Sequence, residues 1–523
     1  MTSSGIDGDI RQSKHHDSAV KHVSGRAVYV DDMATPANCL TVLIGQSAHA
    51  HAKITRMDLS AVAAAPGIVA VMTAADIPGV NDCGPVIHDD PVFAVDEVCY
   101  VGQSLFAIAA VDMAAARAAI GLAVIEYDPL PAILTIDAAM QAKSWLASPS
   151  EMIKGDVQTA LTAAPHALRG RVCAGGQEHF YLEGQAALAI PGEDGEIQLF
   201  CSTQHPSEIQ HKTAEMLGLA NHAVTVETRR MGGAFGGKES QGNLPAMTAA
   251  LAAYLTGQPA KTIYDRDDDF MLTGKRHDCR IDYHVGFDDD GRVLAVEFEQ
   301  ALRCGMSWDL SAGIAARAMC HADNAYDIPH MKITNYCCLT HTQSNTAFRG
   351  FGGPQGMLGI ERVMDEVAHY LGLDPLQVRR KNFYPDKGAA KFGITPYGMS
   401  LPFTENFEAE ELDDNWFMVD VSNDGDGWEV TSVAGYTGEQ SLRIHNWSNN
   451  VEFNRDQLIS QAMDMSEAEL IQVTYKWAYC YKGNNEDEDD TDDRLKVYAS
   501  PNCGETWSLR RMHRGFTDLP SAP

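Results

Sequence analysis

The sequence predicts an α+β protein made of two successive α/β bodies and a terminal all-β sandwich. Three observations carry that prediction. From His16 to about residue 400, short β-branched runs alternate with Ala-rich stretches of helical period. Two glycine-dense loops punctuate this region: Arg230-Met231-Gly232-Gly233-Ala234-Phe235-Gly236-Gly237-Lys238-Glu239 and Ser344-Asn345-Thr346-Ala347-Phe348-Arg349-Gly350-Phe351-Gly352-Gly353-Pro354-Gln355-Gly356. From Leu401 onward the material changes. Five of the seven Trp lie there, and 25 Asp+Glu face 9 Lys+Arg, about half of the chain's net charge of −31.

Bulk properties exclude several function classes. A length of 523 residues leaves room for three domains, and 45% hydrophobic against 21% charged residues supplies an ordinary core. The net charge of −31 argues against nucleic acid or an anionic membrane as a partner. The 12 Cys contain no Cys-x-x-Cys pair, so neither an iron–sulfur cluster nor a structural zinc is expected in this chain. The vicinal Cys337 and Cys338 read as packing. No Gly-x-Gly-x-x-Gly fingerprint follows a strand, so no dinucleotide is expected here either. Met1 to Ser18 is polar and lacks an apolar targeting core, and no apolar run is long enough to span a bilayer. The expected compartment is the cytoplasm.

Taken in order, residues 16–131 read as the first α/β body. Residues 23–32 form a turn and an alternating strand, 39–47 and 68–72 are strand-like, and 105–110 is a buried strand. An Ala-rich helix over 113–122 and a strand over 124–127 follow. His49 and His51 have no Asp or Cys neighbours and read as ordinary surface or core histidines. Residues 132–164 read as an Ala-rich linker containing Ala147-Ser148-Pro149-Ser150. The second body, 165–400, opens with Arg169 to Ala174, and a strand over 199–204 ends in the amide of Gln204. Ser207 caps a helix over 208–217 that Gly218 closes. A strand over 224–228 delivers the first glycine loop, and a helix over 246–255 ends at Gly257. Asp288-Asp289-Asp290-Gly291 makes a hairpin between two strands within 280–303, and a helix over 359–370 follows the second loop.

The glycine loops are where chemistry is expected. Four glycines within six residues let a backbone close on a bulky ligand, because no Cβ intervenes. A single such run is usually only a turn. Two in one body point to a large, flat or polyanionic cofactor held by backbone. Beyond residue 400, short aromatic-rich strands are separated by turns such as Ser422-Asn423-Asp424-Gly425-Asp426-Gly427, the pattern of an all-β sandwich. The acidic run Asn484-Asn485-Glu486-Asp487-Glu488-Asp489-Asp490-Thr491-Asp492-Asp493 reads as a solvated loop, with Ca²⁺ binding as the alternative.

Five stretches then stand together: Gly25-Arg26-Ala27-Val28-Tyr29-Val30-Asp31-Asp32, Gly175-Gly176-Gln177-Glu178-His179-Phe180-Tyr181-Leu182-Glu183, the two glycine loops, and Val378-Arg379-Arg380-Lys381-Asn382. In these motifs residues 16–400 resemble the molybdopterin-binding large subunit of the molybdenum hydroxylase family, in its xanthine dehydrogenase branch. The resemblance implies an α/β hammerhead domain over 16–131 and the first half of a molybdopterin-binding domain over 165–400. It makes Gln204 the amide that hydrogen-bonds an oxygen ligand of molybdenum. Phe235 and Gly236 become the loop lying against the pterin and metal ligands, and Arg349 a cofactor-proximal arginine. Gln204, Phe235 and Arg349 would thus form the molybdenum environment. Glu239 matches a carboxylate that hydrogen-bonds the purine ring. Arg317, in Gly313-Ile314-Ala315-Ala316-Arg317-Ala318, matches a guanidinium that binds a purine oxygen, and Phe351 an aromatic that stacks on the substrate.

The implied activity is molybdenum-dependent hydroxylation of a purine, hypoxanthine or xanthine to urate. FAD and [2Fe-2S] centres are expected on a small partner subunit of a hetero-oligomer. The residue types suit the chemistry. Hydroxylating an electron-poor ring puts negative charge on it, and a fixed guanidinium offsets that charge best where water is excluded. Aromatic walls orient a flat heterocycle at low entropic cost. Glu239 with Arg317 favours purines over aldehydes, the substrates of the alternative branch.

The resemblance breaks past Thr395-Pro396-Tyr397-Gly398-Met399. There the family's large subunit continues with a second cofactor-binding domain and a catalytic glutamate, so no general base is assigned here and the chain alone is expected to be inactive or nearly so. Residues 401–523 instead resemble jelly-roll modules of secreted bacterial proteases and adhesins, through Leu401-Pro402-Phe403-Thr404-Glu405-Asn406-Phe407-Glu408 and Ser500-Pro501-Asn502-Cys503-Gly504-Glu505-Thr506-Trp507. That makes a non-catalytic secreted binding module the reading from a different class. Cys480 and Cys503 would pair only in an oxidising compartment. The abrupt change reads as a join of two unrelated reading frames rather than a natural fusion, and sequencing the source across residues 395–405 checks it.

Overall fold

Apolar runs in this chain bury themselves by forming two main sheets. The computed structural model describes His16, residues 18–384, and the backbone of six strands: Trp416–Asp420, Trp428–Thr431, Ser441–Ile444, Asp456–Ser460, Arg494–Ala499 and Ser508–Arg514. The chain divides into two units, Met1–Phe383 and Tyr384–Pro523.

In the first unit, a seven-stranded sheet runs in the order Val224–Glu227, Ile197–Cys201, Ala186–Pro191, Ala260–Ile263, Leu40–Gln46, Ser104–Ala110, Ile68–Met72. Leu40 lies opposite Ala260 in a parallel pairing, so strands from both expected α/β bodies share one sheet. The cause is visible in the sequence of Ser104–Ala110, which is buried at every position and therefore needs cover on both faces. The helix Asn243–Thr256 supplies part of the cover. Its Met247, Ala250 and Leu251 join Leu40, Val42, Leu199 and Val224 in one core, and Gly257, at φ 67°, ends it.

The second sheet runs Ser150–Lys154, His330–Leu339, Val293–Gly305, Cys279–Phe287, His166–Ala174. Its central hairpin forms at the expected turn. The Asp288 carboxylate accepts the N–H of Asp290 at 3.0 Å and of Arg292 at 2.8 Å, and Gly291 takes φ 82°. The helices Ser311–Cys320 and Gly353–Leu371 cover this sheet through Ile314, Ile360 and Met364 against Phe287 and Phe298. A small sheet of Glu97–Val98, Ala52–Asp58 and Val124–Pro129 completes the unit.

Three local expectations are corrected. Residues 23–32 form no strand: the helix Ala19–Val23 is followed by irregular chain. Side chains of later segments take over its backbone groups. The Val30 N–H donates to Glu183 at 3.1 Å, Arg230 donates to the Val28 carbonyl at 2.8 Å, and Lys261 donates to the Asp31 carbonyl at 2.8 Å. Residues 132–164, read as a linker, contain the helices Ile136–Ala142 and Val157–Ala163 and an edge strand, Ser150–Lys154, antiparallel to His330–Leu339. The helix Pro206–Leu217 starts from His205 rather than Ser207, because Pro206 fits its first turn, where an N–H would have no acceptor.

In the second unit every described element is a strand. Trp416–Asp420 pairs with Asp456–Ser460, Trp428–Thr431 with Ser441–Ile444, and Arg494–Ala499 with Ser508–Arg514, all antiparallel. The acidic run at 484–493, Cys480, Cys503 and the 395–405 segment lie outside the described residues.

Candidate active site

The motif at 175–183 forms the floor beneath both glycine loops. Glu183 is buried, and its carboxylate accepts the Gly232 N–H at 2.7 Å and the Ser202 hydroxyl at 2.7 Å. Lys238, wholly buried, donates to the Glu183 carbonyl at 2.8 Å and to Ser202 at 2.8 Å. It also approaches the Glu183 carboxylate at 3.3 Å and stands 4.6 Å from the Tyr181 ring centroid. Burial pulls the Lys238 pKa down, and the Glu183 charge opposes that. Lys238 is therefore a structural anchor. His179 packs its ring 4.5 Å from Phe348, and its Nε2 lies 2.6 Å from the Ala347 carbonyl. A Cβ at Gly237 would meet the His179 ring at 2.5 Å, so only glycine fits.

The two loops are bonded to each other. The Arg349 N–H donates to the Phe235 carbonyl at 2.8 Å, and the Gly236 N–H donates to Oε1 of Gln204 at 2.8 Å. Gln204 is held in turn by its own N–H on the Lys238 carbonyl, 2.8 Å. Phe235 and Phe351 both adopt left-handed backbone, φ 57° and 46°, which disfavours any residue carrying a Cβ. Phe235 is 48% exposed in spite of that cost. The Phe351 ring covers Gly313, where a Cβ would come within 3.2 Å of it. Gly313 lies one turn before Arg317 on the helix Ser311–Cys320. The structure thus brings Gln204, Phe235, Gly236 and Arg349 together by direct bonds and seats Phe351 against the Arg317 helix. No hydrogen bond or ion pair joins Glu239 to Arg317 among the described residues. The guanidinium groups of Arg317 and Arg349 and the carboxylate of Glu239 have no such partner of any kind among the described residues, which leaves them available to a ligand.

Sequence reasoning missed the groups that hold this arrangement. Arg276 lies 4.0 Å from the Phe348 ring centroid and donates to the Arg349 carbonyl at 2.8 Å. His277 is buried with Nε2 2.7 Å from the Ser311 hydroxyl, and burial drives its pKa down to about 3. Asp309 is buried at the entrance to the Arg317 helix, and burial pushes its pKa up to about 6. All three are distant in sequence from what they touch. Only Asp309 carried a signal, a short polar residue just before a helix.

Against known proteins, residues 24–131 match the aldehyde oxidase and xanthine dehydrogenase a/b hammerhead domain, and residues 141–383 match the molybdopterin cofactor-binding domain. The chain is 41% identical over 405 residues to a xanthine dehydrogenase of Calliphora vicina, covering 77% of this chain. It is 43% identical over 389 residues to a xanthine dehydrogenase/oxidase of Mus musculus, covering 74%. This region belongs to the molybdenum hydroxylase family. The chain spans 29% of the length of each of those relatives. An aldehyde oxidoreductase from Desulfovibrio gigas has a similar structure, with TM-score 0.67 and 27% identity over 74% of this chain and 44% of its own. Residues 400–499 match the Cleaved Adhesin Domain.

The residues where the two glycine loops meet suit the kind of cofactor that the matched domain is described as binding. Because Gly236 occupies Oε1 of Gln204, the amide presents its N–H₂ as the remaining donor, and the Arg349 guanidinium adds further donors. Such donors suit an anionic metal–pterin group. The exposed aromatic side chain of Phe235, in the same loop, suits a flat one.

Proposed function

We propose that residues 24–383 provide the cofactor- and purine-facing half of a xanthine dehydrogenase-type molybdenum hydroxylase. The observation that carries the reading is a set of charges with no partner among the described residues: Glu239 and Arg349 on two mutually bonded glycine loops, and Arg317 on the helix against which Phe351 is seated. In this reading Gln204, Phe235, Gly236 and Arg349 hold the molybdenum–molybdopterin cofactor, which supplies the oxygen-transfer and two-electron chemistry when bound. Glu239 orients the purine by hydrogen bonding to the ring. Arg317 receives the negative charge that hydroxylation places on the purine oxygen. Phe351 stacks on the ring and excludes water from that face. The sequence relatives named xanthine dehydrogenase support purines over aldehydes, and so does the polar pair Glu239 and Arg317. The base that takes the reaction's proton is not assigned to any described residue. FAD and [2Fe-2S] centres belong to a partner chain in this reading, since this chain has no Cys-x-x-Cys pair to hold a cluster.

Metal and pterin analysis of the purified chain, together with isothermal titration with xanthine and with benzaldehyde, tests the proposal. Stoichiometric molybdenum and a clear preference for xanthine are expected. Equal or stronger binding of the aldehyde would move the chain to the aldehyde-oxidising branch.

A further inference from the structure

Asp309 joins three segments through one side chain. Its Oδ2 accepts the Ser240 hydroxyl at 2.6 Å and the Gln241 amide at 2.8 Å. Its Oδ1 accepts the Thr346 hydroxyl at 2.7 Å, and Ser240 and Thr346 also touch each other at 3.1 Å. Ser240 directly follows Glu239 in the first glycine loop. Thr346 lies three residues before Arg349 in the second. Asp309 itself leads into the helix Ser311–Cys320, which carries Arg317 and the Gly313 seat of Phe351.

The surroundings argue against a role in stability alone. Asp309 is only 4% exposed, and no Lys or Arg pairs with its carboxylate among the described residues. Hydroxyls and one amide are its side-chain partners, and burying a carboxylate without a cation costs stability. The residue also takes left-handed backbone, φ 41°, which adds a further cost. A neutral side chain would relieve the first of these. A group that is costly to bury is retained where it does something a cheaper group cannot, and here it sets the separation of three ligand-facing side chains.

We propose that Asp309 is a positioning residue that fixes the mutual placement of Glu239, Arg317 and Arg349 for a flat heteroaromatic substrate. The proposal rests on the purine-hydroxylase reading for the identity of that substrate. The mechanical part, one carboxylate locking three segments, does not.

The test uses the full cofactor-loaded chain and its Asp309→Asn and Asp309→Ala variants. Two readouts are needed: xanthine affinity by titration, and amide hydrogen exchange without ligand. Asn keeps one carbonyl acceptor and lets the Thr346 and Ser240 hydroxyls reverse their roles, so it rescues partially. The expected dissociation constants rise about threefold for Asn and tenfold or more for Ala, a loss that corresponds to one decade of affinity. The melting temperature of Asp309→Asn is expected to stay level or rise at pH 8. A residue of merely structural importance would lower that temperature and leave the affinity of the folded protein alone. Xanthine binding by Asp309→Ala within twofold of wild type would overturn the proposal. Should Asp309→Ala fail to fold, Thr346→Val and Ser240→Ala each remove one arm and are expected to weaken binding severalfold; unchanged binding in both would overturn it. If the wild-type chain itself binds no xanthine, the functional reading fails, and hydrogen exchange decides the positioning role separately. Asp309→Asn is expected to speed exchange at Gly236, at Arg349 and in the 314–318 helix turn together. Unchanged rates at Gly236 and Arg349 would sink it.

Discussion

The carboxamide oxygen of Gln204 accepts the backbone N–H of Gly236 at 2.8 Å, so one side-chain bond sets both the shape of the glycine loop and the direction of the amide. Because the oxygen is occupied, the exposed N–H₂ is the part of Gln204 left to face a ligand.

Gln204→Glu separates these two jobs. The carboxylate can still accept from Gly236 but has no N–H₂ to donate. Since the side chain is exposed, stability should change by less than about 1 kcal/mol. Turnover by the assembled enzyme should fall about 100-fold, the usual loss when one fixed donor to a reacting centre is removed. Thermal melting alongside steady-state xanthine oxidation measures both. A destabilised but fully active variant would contradict the assignment.

Gly236→Ala tests the junction of the two loops. Gly236 has φ 99°, and a Cβ there would stand 2.7 Å from the Ala347 carbonyl oxygen. A backbone angle that alanine rarely adopts, combined with contact against another backbone, costs about 2 kcal/mol or more. Urea denaturation should show a clear drop in midpoint with an unchanged slope. By comparison, Gly257→Ala, with φ 67° and open space around it, should cost only the conformational part, about 1 kcal/mol.

Lys238→Met should destabilise by about 3–5 kcal/mol, because it strands the Glu183 carboxylate in the interior. Glu183 would retain the Val30, Gly232 and Ser202 donors but lose its cation. Replacing Glu183 by Gln in the same chain removes the stranded charge, so the double variant should recover part of the loss. A double-mutant cycle on denaturation free energies reads this directly. Simple additivity would show that the pair is not coupled.

What could be read in the sequence, and what could not, divides by the range of the interaction. The hairpin at Asp288–Gly291, the strand at 105–110 and the glycine loops are set by near neighbours, and each was legible. The alternation at 23–32 looked like a strand but found no ladder partner, since Glu183, Arg230 and Lys261 took its backbone groups from far along the chain. Phe235, Gly236 and Arg349 lie in the two glycine loops and Gln204 at the end of a strand, so each residue that the structure bonds together here was named from its own short stretch of sequence. Asp309, His277 and Arg276 were not, because what distinguishes them is burial against segments 30 or more residues away, and composition holds no record of that. The single sheet shared by Leu40–Gln46 and Ala260–Ile263 was hidden for the same reason.

His277 gives the protein an acid-side sensitivity of known sign. Its ring is fully buried, lies beside the Ser311 hydroxyl, and faces the positive charges of Arg303 and Arg276. Burial first, and those two guanidiniums second, lower its pKa from 6.5 to about 3. The fold thus holds the neutral ring, whereas the unfolded chain takes up a proton near the ordinary value. The resulting stability is fully present above pH 6.5 and is lost as pH falls toward 3, by up to about 5 kcal/mol. The buried carboxylate of Asp309, raised to about 6, works in the opposite direction: its protonation favours the fold as pH falls. The wild-type curve alone therefore mixes both effects. Urea midpoints from pH 7.5 to 4.5 for wild type and His277→Gln separate them, since the variant keeps Asp309 and loses only the imidazole. The variant should be the less stable protein at pH 7.5, and the gap should narrow steadily toward pH 4.5. Parallel curves would mean that His277 does not titrate differently in the folded and unfolded chains.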